Sequence, residues 1–173
     1  GKEEVNLSEI TFGIYPSSLG NIVLVAAAGR LVSLAVTQEN SMVAYRDLRR
    51  LYPGGSRSDR PFRKILLQLN RYLRGQKLVF EVDVDISGLP EFTQTVLREV
   101  RHIPFGETRS YRWIAGALGN PRASRAVGQA VKRNPIPIVI PCHRVVREDG
   151  SIGGFSMEHV SKEYLLRLEG RQR

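Results

Sequence analysis

One stretch of this chain constrains it most: turn residues cut it into short elements, and its single sign of charge limits what it can meet. From Thr108 to Arg147 there are eight basic residues (Arg109, Arg112, Arg122, Arg125, Lys132, Arg133, Arg144, Arg147) and no Asp or Glu; the flanking acids are Glu107 and Glu148. Basic runs on ordinary solvated faces carry interspersed acids, so this one is read as a surface for a polyanion. Ser110 is an N-cap for a helix over Tyr111–Leu118, and Gly119 suits its C-terminal end. Asn120-Pro121 then turns the chain into a second helix spanning Arg122–Arg133. Two short helices joined by a Gly/Pro turn match a helix-turn-helix. The second helix is rich in small residues (Ala123, Ala126, Val127, Gly128, Ala130), with Arg122, Arg125, Lys132 and Arg133 among them. Small side chains let a helix backbone approach a groove, while the cations reach phosphates. Asn134-Pro135-Ile136-Pro137 is a stiff connector into a predicted strand at Ile138–Pro141. Val145-Val146-Arg147 and Ile152 flank Asp149-Gly150, a hairpin signal that predicts a wing.

The sole cysteine, Cys142, lies inside this stretch, in Ile140-Pro141-Cys142-His143-Arg144-Val145-Val146. A lone cysteine is ordinarily a small buried hydrophobe. Here an imidazole and a guanidinium follow it immediately, and such neighbours favour the thiolate, the nucleophilic form. A soft nucleophile set in a cationic segment points to chemistry on nucleic acid.

The first half shows no catalytic constellation and reads as scaffold. Ile10, Phe12 and Ile14 alternate as in a half-buried strand, with a turn at Pro16–Gly20. Ile22–Ala28 is apolar on both faces, as a central strand is, and Gly29-Arg30 leads into a third strand over Leu31–Thr37. Met42, Tyr45, Leu48 and Leu51 recur at helical spacing until Pro53-Gly54-Gly55. Phe62, Ile65, Leu66, Leu69 and Leu73 mark a second helix ending at Gly75. The alternation through Leu78, Phe80, Val82, Val84 and Ile86 predicts a further strand. Asp83-x-Asp85-x-Ser87-Gly88 begins like a calcium loop, but the twelfth position is Gln94, so no calcium site is expected. Beyond this half, Leu89, Phe92, Val96 and Val100 form a helical stripe, and Val160, Tyr164, Leu165 and Leu168 a last helix ending at Glu169. The class is therefore α+β: residues 1–87 an α/β scaffold domain with a small, mainly antiparallel sheet, and residues 88–173 a mostly helical domain resembling a winged helix-turn-helix.

Composition narrows the partners. The net charge of +9 and pI near 10.2 favour a polyanion, and residues beyond Ser87 carry 14 basic against 8 acidic side chains, +6 of that +9. One cysteine rules out an intramolecular disulfide framework and a cysteine-based zinc site. The three histidines (His102, His143, His159) have no ligand-like spacing, so no metal is expected. No apolar run approaches a membrane span, and Gly1-Lys2-Glu3-Glu4 lacks the apolar core of a signal peptide, so a cytoplasmic, reducing location is expected.

Taken together, several motifs resemble the O6-alkylguanine-DNA alkyltransferase family: Ile103-Pro104-Phe105-Gly106, Ser110-Tyr111, Asn120-Pro121-Arg122-Ala123-x-Arg125-Ala126-Val127-Gly128, Asn134-Pro135, Pro141-Cys142-His143-Arg144-Val145 and Glu169-Gly170. The match covers Phe92–Gly170. The resemblance implies single-turnover repair of O6-alkylguanine, and by extension O4-alkylthymine, with the alkyl group ending on Cys142. It further implies that His143 activates Cys142 through a water, Glu169 orients His143, Tyr111 donates a proton to the leaving base, and Asn134 braces the turn before the nucleophile. Guanine contacts are implied for Ser156 and the Val145 backbone, in a pocket loop that also holds Phe155 and Met157. Arg125 takes the place of a flipped-out nucleotide, and Arg122, Ala123, Ala126, Lys132, Arg133, Arg147 and Ser110 join it in contacting DNA. The expected partner is alkylated duplex DNA held at its minor groove by a monomer that needs no cofactor. This chain departs from the family in the pocket loop, where Phe155-Ser156-Met157-Glu158 replaces a usual Tyr-Ser/Ala-Gly-Gly. Two rival readings, a cysteine hydrolase and a non-catalytic DNA binder, fit less well: no oxyanion loop is visible, and the acceptor cysteine is present.

Overall fold

The computed structural model describes residues 9–154, 157 and 160–170. Three strands, β1 (Ile10–Ser17), β2 (Gly20–Ala27) and β3 (Arg30–Thr37), form an antiparallel meander. After helix α1 (Ser41–Leu51), the two-residue β4 (Ser56–Arg57) adds in parallel to β1 through Thr11 and Phe12, giving the order β3-β2-β1-β4. Central β2 is apolar on both faces because the sheet separates two cores. Its Val25 and Ala27, with Ile10, Phe12 and Ile14 of β1, pack against Ala44, Tyr45 and Leu48 of α1. Its Ile22, Leu24 and Ala26 face a second, larger core shared with α2 (Arg63–Leu73) and the rest of the chain. Asn40 caps α1, its side-chain oxygen accepting the Val43 N–H, while Arg49 and Arg50 sit at the negative end of the helix dipole.

The larger core joins the two halves. Leu24, Leu34, Phe62, Leu69 and Tyr72 belong to the same buried cluster as Val96, Leu97, Ile114, Ile138, Ile140 and Leu165. Helix α3 (Glu91–Arg101) buries Thr93, Val96, Leu97 and Val100, and leaves Phe92, counted in its predicted apolar stripe, facing solvent. The pair β5 (Arg109–Ser110) and α4 (Tyr111–Ala117) follows, then α5 (Ser124–Lys132), which packs on both α3 and α4. Ser110 caps α4 by accepting the Trp113 N–H at 2.9 Å, and Gly119, at φ 83°, ends that region as expected. The short β6 (Val145–Val146) and α6 (Lys162–Leu168) complete the fold.

Four local expectations are corrected. Leu78–Ile86 is extended but not a strand: it meets the sheet only where Leu31 donates to Asp83 O and accepts from Asp85 N. Further along the same edge the Leu34 N–H is taken by Pro135 O, so no ladder can continue. The alternation survives as burial, with Phe80 and Ile86 inward and Val79 outward. The first hairpin is tighter than predicted, since Pro16 and Ser17 pair with Asn21 and Gly20 within the sheet. Ile138–Pro141 is a tight turn rather than a strand, described below. The predicted wing is a turn at Asp149-Gly150 closed by Arg147 and Ser151, without a returning strand; the strand pairing of β6 is with β5, in parallel.

Candidate active site and nucleic-acid interface

The turn before Cys142 is built around Asn134. Its side-chain amide donates to Ile140 O at 2.8 Å, and its carbonyl oxygen accepts the Ile136 N–H at 2.9 Å. One buried side chain thus clamps both ends of the 136–140 loop. The clamp is needed because Ile138 has φ 73°, a left-handed conformation that costs a β-branched residue about 1–3 kcal/mol. From that loop the chain passes through Pro141 into a single 3-10 turn, Cys142–Arg144, and then β6. Pairing of Arg109 with Val145 and of Ser110 with Val146 sets Tyr111 immediately beyond the ladder. Burial raises the Tyr111 hydroxyl pKa, and the charge of Cys142 raises it further against Arg147.

Cys142 (1% exposed), His143, Arg144 and Glu169 are all buried. The Glu169 carboxylate receives four donors, two on each oxygen. Oε1 accepts the Gly106 N–H at 3.1 Å and Arg144 Nε at 2.7 Å; Oε2 accepts the Tyr72 hydroxyl at 2.5 Å and meets His143 Nε2. Arg144 also donates to Ile103 O at 2.7 Å. Burial alone would raise the Glu169 carboxyl, but the bonds and charges of His143 and Arg144 outweigh it and hold it at about 2. Burial likewise pushes His143 below its ordinary value, helped by the charges of Arg144 and Lys162 and opposed by Glu169. The pair is therefore a neutral imidazole donating to a carboxylate. With Nε2 as the donor, Nδ1 is the basic nitrogen, and it has no hydrogen-bond partner among the described residues.

Outside this buried set lies an open groove of about 490 Å³, lined in part by Tyr111, Arg125, Gly128, Lys132, Arg147 and Gly153. Tyr111 passes so close to Gly153 that a Cβ there would sit 2.4 Å from the hydroxyl oxygen. Buried Lys162 holds its ammonium 5.7 Å from the Tyr111 ring centroid and donates to Gly154 O at 3.4 Å. Arg122, Arg125, Lys132, Arg133 and Arg147 are exposed, and none makes a side-chain hydrogen bond or ion pair to a described residue.

Residues 10–86 match the ribonuclease-like domain of 6-O-methylguanine DNA methyltransferase, and residues 91–171 match its DNA-binding domain. The chain belongs to this family. A methylated-DNA–protein-cysteine methyltransferase of Methanosarcina acetivorans is 46% identical over 109 residues, 63% of this chain and 69% of that protein. The constitutive enzyme of that name from Bacillus subtilis is 34% identical over 153 residues, 87% of this chain and 90% of its own. Among solved structures, Mycobacterium tuberculosis OGT in complex with DNA superposes with a TM-score of 0.77 at 33% identity, covering 92% of each chain. The O6-methylguanine-DNA methyltransferase of Pyrococcus kodakaraensis gives 0.64 at 27% identity, covering 94% of this chain and 99% of that one.

Within this family member, Cys142, His143 and Glu169 come together with Asn134 beneath them and Tyr111 at the groove. Val145 is buried in β6. Ala126 is exposed on α5, while Ala123 and Ser110 are partly covered. Met157 is buried in the main apolar core. Phe155 and Ser156 lie outside the described residues. Arg144 is corrected: it is 6% exposed and spent on Glu169 and Ile103, so it cannot serve as a cation for phosphate. Arg109 is partly diverted too, pairing with Glu107 and stacking on Trp113. No group of three or more His, Cys, Asp or Glu able to hold a metal occurs among the described residues, and no helix among them is long and apolar enough to cross a membrane. Sequence reasoning missed Tyr72 and Lys162, and it gave Gly106, which belongs to a quoted motif, no role. Tyr72 sits on the apolar face of α2 with Ile65 and Leu69, so its spacing signals core packing and nothing marks its hydroxyl.

Proposed function

We propose that this chain repairs alkylated DNA by moving the alkyl group from guanine O6 to the sulfur of Cys142, once per molecule. The observation that carries this reading is a cysteine whose next residue is a buried histidine bound to Glu169, beside a cationic groove. His143 Nδ1 takes the thiol proton through a water, and the sulfur attacks the saturated alkyl carbon. The carbon–O6 bond breaks as the carbon–sulfur bond forms, and Tyr111 protonates the departing guanine. The thioether is stable, so the protein is spent. No cofactor is required, since displacement needs only a nucleophile and a proton donor.

Guanine O6 is out of reach within a stacked pair, so the nucleotide leaves the duplex at a cost of roughly a few kcal/mol. Arg125, exposed on α5 at the groove, fills the gap from the minor-groove side. Arg122, Lys132, Arg133 and Arg147 hold phosphates, with Ser110, Ala123 and Ala126 close to the backbone. Val145, Phe155, Ser156 and Met157 belong to the guanine pocket. In this reading, residues 88–173 carry chemistry and DNA binding while residues 1–87 brace them. The protein acts as a monomer in a reducing compartment that preserves the thiol.

Incubation with an O6-methylguanine oligonucleotide, followed by intact-protein mass spectrometry, tests the proposal. One methyl group per chain is expected, located on Cys142. Cys142→Ala is expected to gain none while keeping its DNA affinity. A methylated Cys142→Ala protein, or a wild-type chain that turns over unmodified, overturns the reading.

A further inference from the structure

We propose that Tyr72, supplied by the N-terminal half, is a positioning residue for alkyl transfer: its hydroxyl shares one oxygen of Glu169 with His143 and so holds His143 with Nε2 protonated and Nδ1 open as the base. This rests on the function proposed above for Cys142.

Hydrogen-bond accounting leads here. A carboxylate has about four acceptor sites, and Glu169 fills them with Gly106, Arg144, Tyr72 and His143. Tyr72 is 0% exposed. Burial first, then the charge and hydrogen bond of Glu169, push its hydroxyl far above the ordinary range. It is therefore a permanent donor. The same hydroxyl oxygen lies 3.3 Å from His143 Nε2. That nitrogen thus faces two oxygens, one of them anionic, and a lone pair there would be repelled. The proton belongs on Nε2, which leaves Nδ1 bare.

The shared oxygen has a second effect. A hydrogen bond donated by Tyr72 disperses the charge on Glu169 and weakens its pull for a second proton on His143. Around His143 the charged and titratable groups among the described residues are the adjacent Cys142 thiol, Glu169, Arg144, Lys162 and Tyr72; Tyr164 additionally faces Tyr72. Arg144 and Lys162 oppose imidazolium, and only Glu169 favours it. Tyr72 is thus the neutral side chain that tempers this attraction, on the carboxylate oxygen that His143 also uses. Its ring is fixed independently, edge-on to Phe105 at 6.0 Å and tilted against Phe80 at 5.5 Å. A phenylalanine keeps those packing contacts and loses only the hydroxyl.

The test compares wild type with Tyr72→Phe in the full chain, following alkyl transfer to Cys142 from about pH 5.5 to about 9. The acidic limb of the rate profile is expected to move up by about half a pH unit or more, so that Tyr72→Phe is roughly three- to tenfold slow near pH 6 and converges with wild type in alkali. In ¹⁵N spectra of labelled imidazole, wild-type His143 is expected to be neutral and protonated on Nε2, and its protonation midpoint is expected to rise in Tyr72→Phe. A uniform loss of rate with an unmoved midpoint would mark Tyr72 as packing alone and overturn the proposal. If Tyr72→Phe does not fold, the wild-type spectrum decides, and a proton on Nδ1 overturns it. A wild-type chain that leaves Cys142 unalkylated sinks the proposed function instead, while the imidazole spectra still report on Tyr72.

Discussion

Arginine serves opposite purposes at two places a few residues apart in sequence. Arg144 is buried and closed, its guanidinium divided between Glu169 and Ile103 O. Arg147 is exposed and open, like Arg125 across the groove. The buried network is over-determined: each carboxylate oxygen of Glu169 has two donors, so removing one partner strands the others without solvent. The exposed face is under-determined, its charges left for a polyanion, so each one matters little and salt screens it. The buried region should respond to single substitutions with large, salt-independent losses, the open face with small, additive, salt-dependent ones.

The largest expected effect follows from Glu169→Gln, which leaves Arg144 buried without its counter-charge. Stability should fall by about 3–5 kcal/mol in denaturant titration. Alkyl transfer should slow about a hundredfold or more. A stability loss below about 1 kcal/mol would erase the contrast with the open face.

Acid should discriminate between the regions next. Glu169 is held at about 2 against an ordinary 4.5, so its stabilisation is complete above pH 4.5 and is lost as pH falls toward 2. His143 is held below its ordinary 6.5, so the unfolded chain takes up its proton first, and stability begins to fall below pH 6.5. Both slopes run the same way. Melting temperatures between neutral pH and about pH 4 should report a loss on the order of 2 kcal/mol. Arg125→Ala should show the same loss.

Gly153→Ala probes the boundary between the two regions. The added methyl displaces the Tyr111 hydroxyl, so transfer should slow about tenfold, roughly 1.4 kcal/mol of barrier. Thermal stability should change by less than about 1 kcal/mol, since the clash falls on the end of one side chain. An unchanged rate would show that Tyr111 does not need its observed position.

The smallest effects belong to the open face. Arg147→Ala should weaken duplex and single-stranded DNA alike, by about 1 kcal/mol or less. The log–log salt dependence of binding should become shallower by about 0.9, because one phosphate fewer is neutralised. Arg125→Ala should slow repair in duplex more than in single strands. Equal effects on both substrates would remove Arg125 from its place in the vacated stack.

Much of this was legible in one dimension. The strands β1 to β3, the helices α1 to α6 and the caps at Ser110 and Gly119 are local, because side-chain period and turn chemistry act within a few residues. Cys142 stands out in one dimension because a lone cysteine beside histidine, set among motifs known together, is specific. The extended 78–86 segment misled because alternation reports burial, whereas a strand also needs a free edge, and Pro135 occupies part of that edge.

Residue identity and near-neighbour periodicity suffice to pick out the lone cysteine, the sign of the charge around it and the order of helices and strands. Which arginines remain available, and which group completes the carboxylate's shell, depend on the folded packing. Arg144 and Arg147 are the same residue type in the same run, and Tyr72 lies 97 positions from Glu169. Their roles depend on what the folded chain excludes from water. A buried cation or hydroxyl must find a partner wherever packing brings one, and no local pattern records where that is.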